Sequence, residues 1–333
     1  MIRKAAGGIA PLLLLMSMMN PCAAASIAAA ETSPAPSEPF CNQSLATQIP
    51  ARASTAPTGS QIAPRLVGIS DDEREAVIRS ELLAGNIPSF LRQLQPVTLR
   101  GDSSNGENEQ ITVCVMPDYL ALGSDDDFLL IPMRLDTALA VAQRFGFSLP
   151  TTKLVDAIYA QSLIHLSPQP LPAGPAMRTT GYYVHHNEIV HDQRVVASTK
   201  TGGTKTGVLV SGDKKDLVIT NRLWTHLASV AIYGWHRLNG EPIQPLSTVH
   251  GWHYADYSHG IRLVSDQILV DHRPQSLYNV LQDPRLASVL SSEGAIRQVT
   301  ELVNRLKQPV PEALASLIPD SSGRRPATIN LRH

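Results

Sequence analysis

The residues of this chain best suited to chemistry lie in one short segment, STVHGWHYADYSHGIRLV, at residues 247–264. It places His250, His253, Asp256 and His259 at intervals of three. Imidazole and carboxylate groups bind divalent metals such as zinc, and they also serve as general acids and bases. The segment therefore predicts either a metal site or a metal-free acid–base site, and hydrolysis is a reaction class that fits both.

An interval of three residues does not by itself gather these four side chains. On a helix, successive steps of three move around the axis, and on a strand the first and third face one side while the others face the opposite side. Two or three of them at most converge, so a metal would need ligands from elsewhere. The segment YYVHHNEIVHDQR, at 182–194, is a natural supplier. The predicted ligands of zinc or another divalent metal are His250, His253, His186 and His191.

The same segment also allows a metal-free site. Ser258 becomes a nucleophile if the chain folds back and brings His250 across a turn, since neighbouring residues on an extended chain point apart. The alternative is that Ser258 and Asp256 bond only the local backbone, as these residue types commonly do in turns. The predicted catalytic residues are His250, His253, Asp256, Ser258 and His259.

The segment resembles a motif of the L,D-transpeptidases that modify peptidoglycan. That family carries a His-Gly pair on one strand and, after a loop, the sequence Ser-His-Gly-Cys-Ile-Arg-Leu. This chain has HG at 250–251 and SHGIRL at 258–263. The cysteine, which is the nucleophile of the family, is missing after Gly260, so the resemblance implies no catalytic role for the residues that match.

Aromatic residues and histidines gather around this segment, although aromatics make up only 5% of the chain. All three tryptophans, five of the eight tyrosines and eight of the eleven histidines lie between residues 182 and 259. Such a set is costly to bury without polar partners, and when exposed it suits polar polymers, sugars or peptides. Arg262 is a candidate for holding an anionic group, with an ordinary ion pair as the alternative. The predicted substrate-binding residues are Tyr183, Trp235, Trp252, Tyr254, Tyr257 and Arg262.

The beginning of the chain predicts export. A basic start precedes the apolar run Leu12–Met19, and small residues follow, as in a secretory signal peptide over residues 1–30. A lipid anchor at Cys22 is the alternative. In an oxidising compartment Cys41 and Cys114 are expected to pair as a disulfide. We therefore predict a secreted or periplasmic protein with no membrane span after signal removal.

The remaining sequence predicts a mixed α+β fold, in which a β-rich C-terminal half packs with helices and a disulfide clips the N-terminal helical and strand portion. Helical spacing covers 71–83, 135–145, 151–162 and 293–307. Between residue 177 and the last of these helices, short β-branched runs dominate. The predicted divisions are a signal peptide at 1–30, a disordered linker at 31–66, an N-terminal α+β portion at 67–167, a β-rich site domain at 177–310 and a C-terminal tail at 311–333.

Charge and composition restrict the partners. The net charge is −1 with both signs interspersed, which gives no electrostatic basis for nucleic-acid binding. We therefore predict a secreted hydrolase that acts on an extracellular or cell-envelope polymer or small molecule, such as peptidoglycan, a peptide or a glycan. The alternative is a non-catalytic envelope protein that binds glycan or peptide through an aromatic cleft.

Overall fold

Helices and mostly antiparallel strands form the mixed α+β fold that the sequence predicts. The computed structural model describes residues 40–200 and 207–308; the predicted signal peptide and C-terminal tail lie outside them. The helices are α1 (Gly59–Ile62), α2 (Asp71–Leu83), α3 (Leu135–Phe145), α4 (Thr152–Gln161), α5 (Thr180–Lys200), α6 (Leu277–Gln282), α7 (Ala287–Leu290) and α8 (Val299–Leu306). The strands are β1 (Gln95–Asp102), β2 (Asn108–Val115), β3 (Ala121–Gly123), β4 (Phe128–Leu130), β5 (Phe147–Ser148), β6 (Ile164–His165), β7 (Val210–Ser211), β8 (Lys215–Leu217), β9 (Ile232–His236), β10 (Pro242–Ser247), β11 (His259–Gly260), β12 (Val264–Val270) and β13 (Arg273–Ser276).

Two larger sheets organise these strands. One has the antiparallel order β1-β2-β12-β13, with β5 also paired to β12. The other has the order β10-β9-β8-β11, in which β8 and β11 run parallel. Because β12 pairs with β2, the predicted N-terminal portion and the predicted site domain share one sheet, and the proline-rich segment at 168–176 does not divide the described residues into two compact units.

The Cys41–Cys114 disulfide joins the N-terminal segment to β2, as the sequence predicts. The sequence also predicts a disordered linker over 31–66, and for residues 40–66 this prediction is wrong. Ile49, Ile62 and Leu66 are buried in the core, and short helical turns carry them there. Asn42 and Thr58 stand at the N-caps of two of these turns, and Pro64 lies at the start of the third, so a composition typical of disorder serves local structure instead.

Helix α2 begins where the sequence predicts it. The Ser70 hydroxyl accepts a hydrogen bond from the Glu73 amide at 3.2 Å, and the Glu73 carboxylate accepts one from the Ser70 amide at 2.9 Å. This reciprocal capping box satisfies two amide groups that have no partner inside the helix. It fixes the first turn of α2, which carries Asp71 and Arg74.

Replacing Ser70 with alanine is expected to lower the free energy of unfolding by about 1 kcal/mol, because the helix loses its side-chain cap. Denaturant unfolding measures this loss. Ser80, which is exposed in the middle of the same helix, provides the matched control. Ser80→Ala is expected to be neutral or slightly stabilising, since alanine has the higher helix propensity. Equal losses in the two variants would contradict the capping role.

The C-terminal helix is shorter than predicted. The sequence predicts a helix over 293–307, whereas α8 begins at Val299. The Glu293 carboxylate accepts hydrogen bonds from the Thr220 hydroxyl at 2.8 Å and from the Asn221 amide at 3.1 Å. Gln298, just before the helix, has a left-handed φ of 45°. Glu293 therefore bonds residues that are distant in sequence instead of starting the helix. The local sequence does not reveal this contact.

Candidate functional site

A cavity of about 950 Å³ contains part of the predicted site. His250, Tyr254 and Asp256 of the 247–264 segment lie in its wall, together with Lys215 at the start of β8. The rest of the wall comes from within residues 66–74 and 173–181. The segment thus lines one side of the cavity, and the opposite side comes from the beginnings of α2 and α5 and the residues before them. Residues 182–194, which the sequence analysis expects opposite the segment, do not line it.

Asp256 holds the centre of the segment in place. It is 1% exposed; its Oδ1 accepts hydrogen bonds from the amide and hydroxyl of Ser258 at 2.8 and 2.5 Å, and its Oδ2 accepts one from the Tyr254 hydroxyl at 2.9 Å. Burial acts to raise the pKa of Asp256, but His259, the Ser258 bonds and Lys215 outweigh it and lower the pKa to about 2. The carboxylate is therefore ionised at neutral pH.

His250 presents a neutral imidazole to the cavity. The Val230 amide donates to the His250 carbonyl oxygen at 3.0 Å, which fixes the backbone, and the ring stacks on Tyr254 with centroids 4.0 Å apart. Burial lowers the pKa of His250, and although Asp256 opposes this shift, Lys215 adds to it. A neutral histidine in a cavity wall can accept a proton, so His250 is suited to act as a general base.

Lys215 reaches the same cavity from β8. Its amide donates to the Ser258 carbonyl oxygen at 2.7 Å, which ties the strand to the segment, and its Nζ lies 4.9 Å from the centre of the Trp235 ring. Burial lowers its pKa. No carboxylate oxygen lies within 4.0 Å of Nζ in residues 40–200 and 207–308. The ammonium group is therefore free of a direct ion pair and can act on a bound molecule.

Two arginines complete the polar part of the wall. The Asp71 carboxylate pairs with the Arg74 guanidinium at 2.7 Å through one oxygen and with Arg178 through the other. The Arg178 Cζ lies 5.8 Å from the centre of the Tyr254 ring. Sequence reasoning missed both arginines and Lys215. Isolated charges at helix and strand starts are usually solvated, and no local pattern marks these three as facing one cavity.

Ser258 and His259 lie behind the cavity wall. Both are buried, and the Ser258 hydroxyl donates to Asp256, not to His250. The His259 ring has no hydrogen-bond partner on either nitrogen within the described residues. Burial, which outweighs the opposing effect of Asp256, lowers the pKa of His259 to about 4. These placements favour a structural role for Ser258 over its role as a nucleophile, with the difference that its hydroxyl bonds the Asp256 side chain and only Asp256 bonds the local backbone.

The buried His259 is expected to weaken the fold in acid. Its pKa falls from 6.5 to about 4 on folding, so the unfolded chain binds the proton more readily. The stability conferred by keeping it neutral is present above pH 6.5 and is lost as the pH falls to about 4. In His259→Gln, the free energy of unfolding should depend less steeply on pH across this window. His191→Gln, at an exposed position of α5, should keep the wild-type slope; equal slopes in all three proteins would contradict the assignment.

The four predicted metal ligands are not brought together. His186 is buried with its Nδ1 3.1 Å from the Lys214 Nζ, whereas His191 is exposed. The two lie five residues apart on α5 and so point about 140° apart. His253 is exposed, 3.2 Å from an Nη1 of Arg134. Across the ranges that the structure describes, no three ligating side chains converge on a possible metal position.

The predicted aromatic cleft is largely core. Tyr183, Trp235 and Tyr257 are buried, and Trp252 is partly buried with its ring centroid 3.5 Å from that of His253. Tyr254 lines the cavity. Two of the buried rings find backbone partners that the sequence does not reveal: the Tyr183 hydroxyl donates to the Ala255 carbonyl oxygen at 3.1 Å, and the Tyr257 hydroxyl accepts from the Leu171 amide at 2.7 Å. The indole nitrogen of Trp235 has no hydrogen-bond partner among the described residues. Packing thus explains most of the aromatic cluster.

Arg262 does not reach the cavity. It is fully buried, and its guanidinium donates to the carbonyl oxygens of Met116 at 3.1 Å and Val210 at 2.6 Å. Its Cζ lies 4.2 Å from the centre of the Tyr119 ring. Arg262 is therefore not placed to hold an anion in this cavity, and its side chain instead joins the residue after β2 to β7.

Comparison of the chain with protein-family models, curated proteins and solved structures finds no match. Among the described residues, none of the helices combines the length and the apolar character needed to span a membrane.

Proposed function

We propose that this protein is an exported hydrolase of a cell-envelope substrate such as peptidoglycan, a peptide or a glycan, and that the cavity is its active site. One observation carries the proposal: four titratable groups with displaced pKa values meet on one cavity. The pKa is lowered for His250, Lys215 and Asp256 and raised for Tyr254. Perturbed groups that converge in a cleft are typical of catalytic sites.

For an amide or ester bond, His250 acts as the general base. It removes a proton from a water molecule while the water oxygen forms a bond to the substrate carbonyl carbon. The negative charge that develops on the carbonyl oxygen is stabilised by the Lys215 ammonium group. His250 then returns the proton to the leaving nitrogen or oxygen as its bond to carbon breaks. Asp256 is a positioning residue, since it holds the Tyr254 hydroxyl while the Tyr254 ring supports His250.

Two further observations support export and the cell envelope. The predicted signal peptide directs the chain out of the cytosol. The Cys41–Cys114 disulfide fits an oxidising compartment, where such bonds form and persist. Binding without catalysis through an aromatic surface has less support, because Trp235 and Tyr257 are buried.

The test is turnover by the mature protein on a panel of peptidoglycan, peptides, glycosides and esters. Wild type is expected to hydrolyse at least one member, and Lys215→Met is expected to lower kcat about 10²–10³-fold, as for loss of one oxyanion-stabilising group. Lys307→Met, at the end of α8, is the matched control and should match wild type. Absence of hydrolysis by wild type across the panel would overturn the proposal in favour of a non-catalytic binding protein.

A further inference from the structure

We infer that the cavity recognises a peptide by its C-terminal carboxylate, and that Arg178 and Arg74 bind this group at the start of α5. The inference rests on the proposed function, because it names the substrate class of the same cavity. It depends on four features of the cavity wall: the balance of charge, the unpaired guanidinium donors, the position of a helix N-terminus and the distance to His250.

The arginine side of the wall has one positive charge in excess. Asp71 is a single carboxylate shared by two guanidinium groups, Arg74 and Arg178. The other carboxylate of the wall, Asp256, already accepts hydrogen bonds from Ser258 and Tyr254. An anion with one negative charge, such as a carboxylate, balances the wall.

The guanidinium groups also have donors to spare. The Arg74 side chain is only 8% exposed, and its buried Nε has no hydrogen-bond partner in the described part of the chain; the buried Nε of Arg178 is in the same situation. Buried donors are normally satisfied, and these Nε atoms are closed to solvent, so a ligand in the cavity does not reach them as the side chains stand. A carboxylate instead meets the outer nitrogens of the guanidinium groups, whose planar fork matches its two oxygens.

Helix α5 adds to the positive electrostatic potential on this side of the cavity. Its 21 residues begin at Thr180, and Thr179, Thr180 and Gly181 line the cavity. The first amide groups of a helix lack partners within it and carry a partial positive charge, which favours a bound anion. The Thr180 hydroxyl donates to the Leu66 carbonyl oxygen at 2.7 Å and so fixes this helix end against the segment that leads into α2 in the same wall.

Geometry places the anion close to the proposed general base. The Arg178 Cζ lies 5.8 Å from the centre of the Tyr254 ring, and the His250 ring centroid lies 4.0 Å from the same point. The Arg178 Cζ and the centre of the His250 ring are therefore separated by no more than the sum of these two distances. That sum corresponds to about three residues of extended chain. A carboxylate held by Arg178 therefore places the bond attacked near the C terminus of the peptide. Apolar wall residues such as Ile69 and Met177 suit the side chains in between.

The test measures binding separately from turnover. Acetyl-Ala-Ala with a free carboxylate and the matching amide are titrated into the mature protein, and the backbone amide signals of Gly174 and Gly181 are followed by NMR. We expect the free acid to bind at least about tenfold more tightly than the amide, as for loss of one charged hydrogen-bonded contact. Arg178→Gln should remove this preference, and Arg305→Gln, in the exposed pair with Glu301, should retain it.

Equal affinities for acid and amide, no binding of either, or an unchanged preference in Arg178→Gln would each overturn the inference. Its failure is distinct from that of the proposed function. Tight binding of the acid without hydrolysis of any peptide leaves the carboxylate site standing and removes the hydrolase. Hydrolysis that proceeds equally with acid and amide substrates leaves the hydrolase standing and removes the carboxylate site.

Discussion

Replacing His250 with glutamine is expected to lower kcat about 10²–10⁴-fold, the usual contribution of a general acid–base group. Glutamine retains polarity and similar size but cannot take up a proton at neutral pH. Because burial holds the pKa of His250 below its ordinary value, activity in wild type should fall only when the pH drops below the normal histidine range. The kcat and its pH profile measure both effects.

Two controls separate this loss from a defect in folding. His250 is only half-buried, so the unfolding free energy of His250→Gln should stay close to wild type. His191→Gln, at an exposed position outside the cavity wall, should retain full kcat. A His250→Gln protein that is stable and fully active would remove His250 from the mechanism.

Replacing Arg194 with methionine is expected to lower the free energy of unfolding by about 3–5 kcal/mol. Arg194 pairs with Asp118 and lies 3.6 Å from Asp213, and both carboxylates are nearly inaccessible to solvent. Burial raises the pKa of Asp213 while Arg194 opposes this. Without the guanidinium, two carboxyl groups remain buried with too little compensating charge. Denaturant unfolding measures the loss.

The exposed Arg305–Glu301 pair provides the matched control for this prediction. It also joins an arginine and a carboxylate, at 2.5 Å, but both side chains are about half exposed. Arg305→Met is expected to cost about 0–1 kcal/mol because solvent already screens the pair. Adding Asp118→Asn to Arg194→Met should recover part of the stability, since it removes one of the stranded charges. Equal small losses at Arg194 and Arg305 would show that the buried network contributes little.

Features of the fold that depend on local sequence were predictable. The Ser70 cap sets the start of α2, and Gly146, in a left-handed conformation with φ of 79°, ends α3 where the periodic pattern stops. The Cys41–Cys114 disulfide followed from two cysteines in a chain whose first thirty residues predict export. In each case a few adjacent residues, or the mere count of one residue type, contain the physical cause.

Features of the site that depend on long-range contacts were not predictable from the sequence. The 247–264 segment was found from its residue types, and three of its members do line a cavity. The sequence could not show which of its histidines line the cavity. His259 is buried behind the wall, and the His253 ring lies beside Arg134. Arg262 has the same residue type as Arg178, yet it is fully buried and bonds the backbone carbonyl groups of Met116 and Val210, which are distant in sequence.

The sequence by itself determined the α+β class, the disulfide, the starts of α2, α3 and α4 and the segment richest in reactive groups, because these depend on periodicity, caps and composition. The tertiary structure alone decided which groups share a cavity. The parallel pairing of β8 with β11 brings Lys215 to the cavity that Asp256 lines, and Arg178, just before α5, lines the same cavity. Residues separated by tens of positions acquire common chemistry only when sheets and helices pack, since charge, burial and distance are properties of that packing.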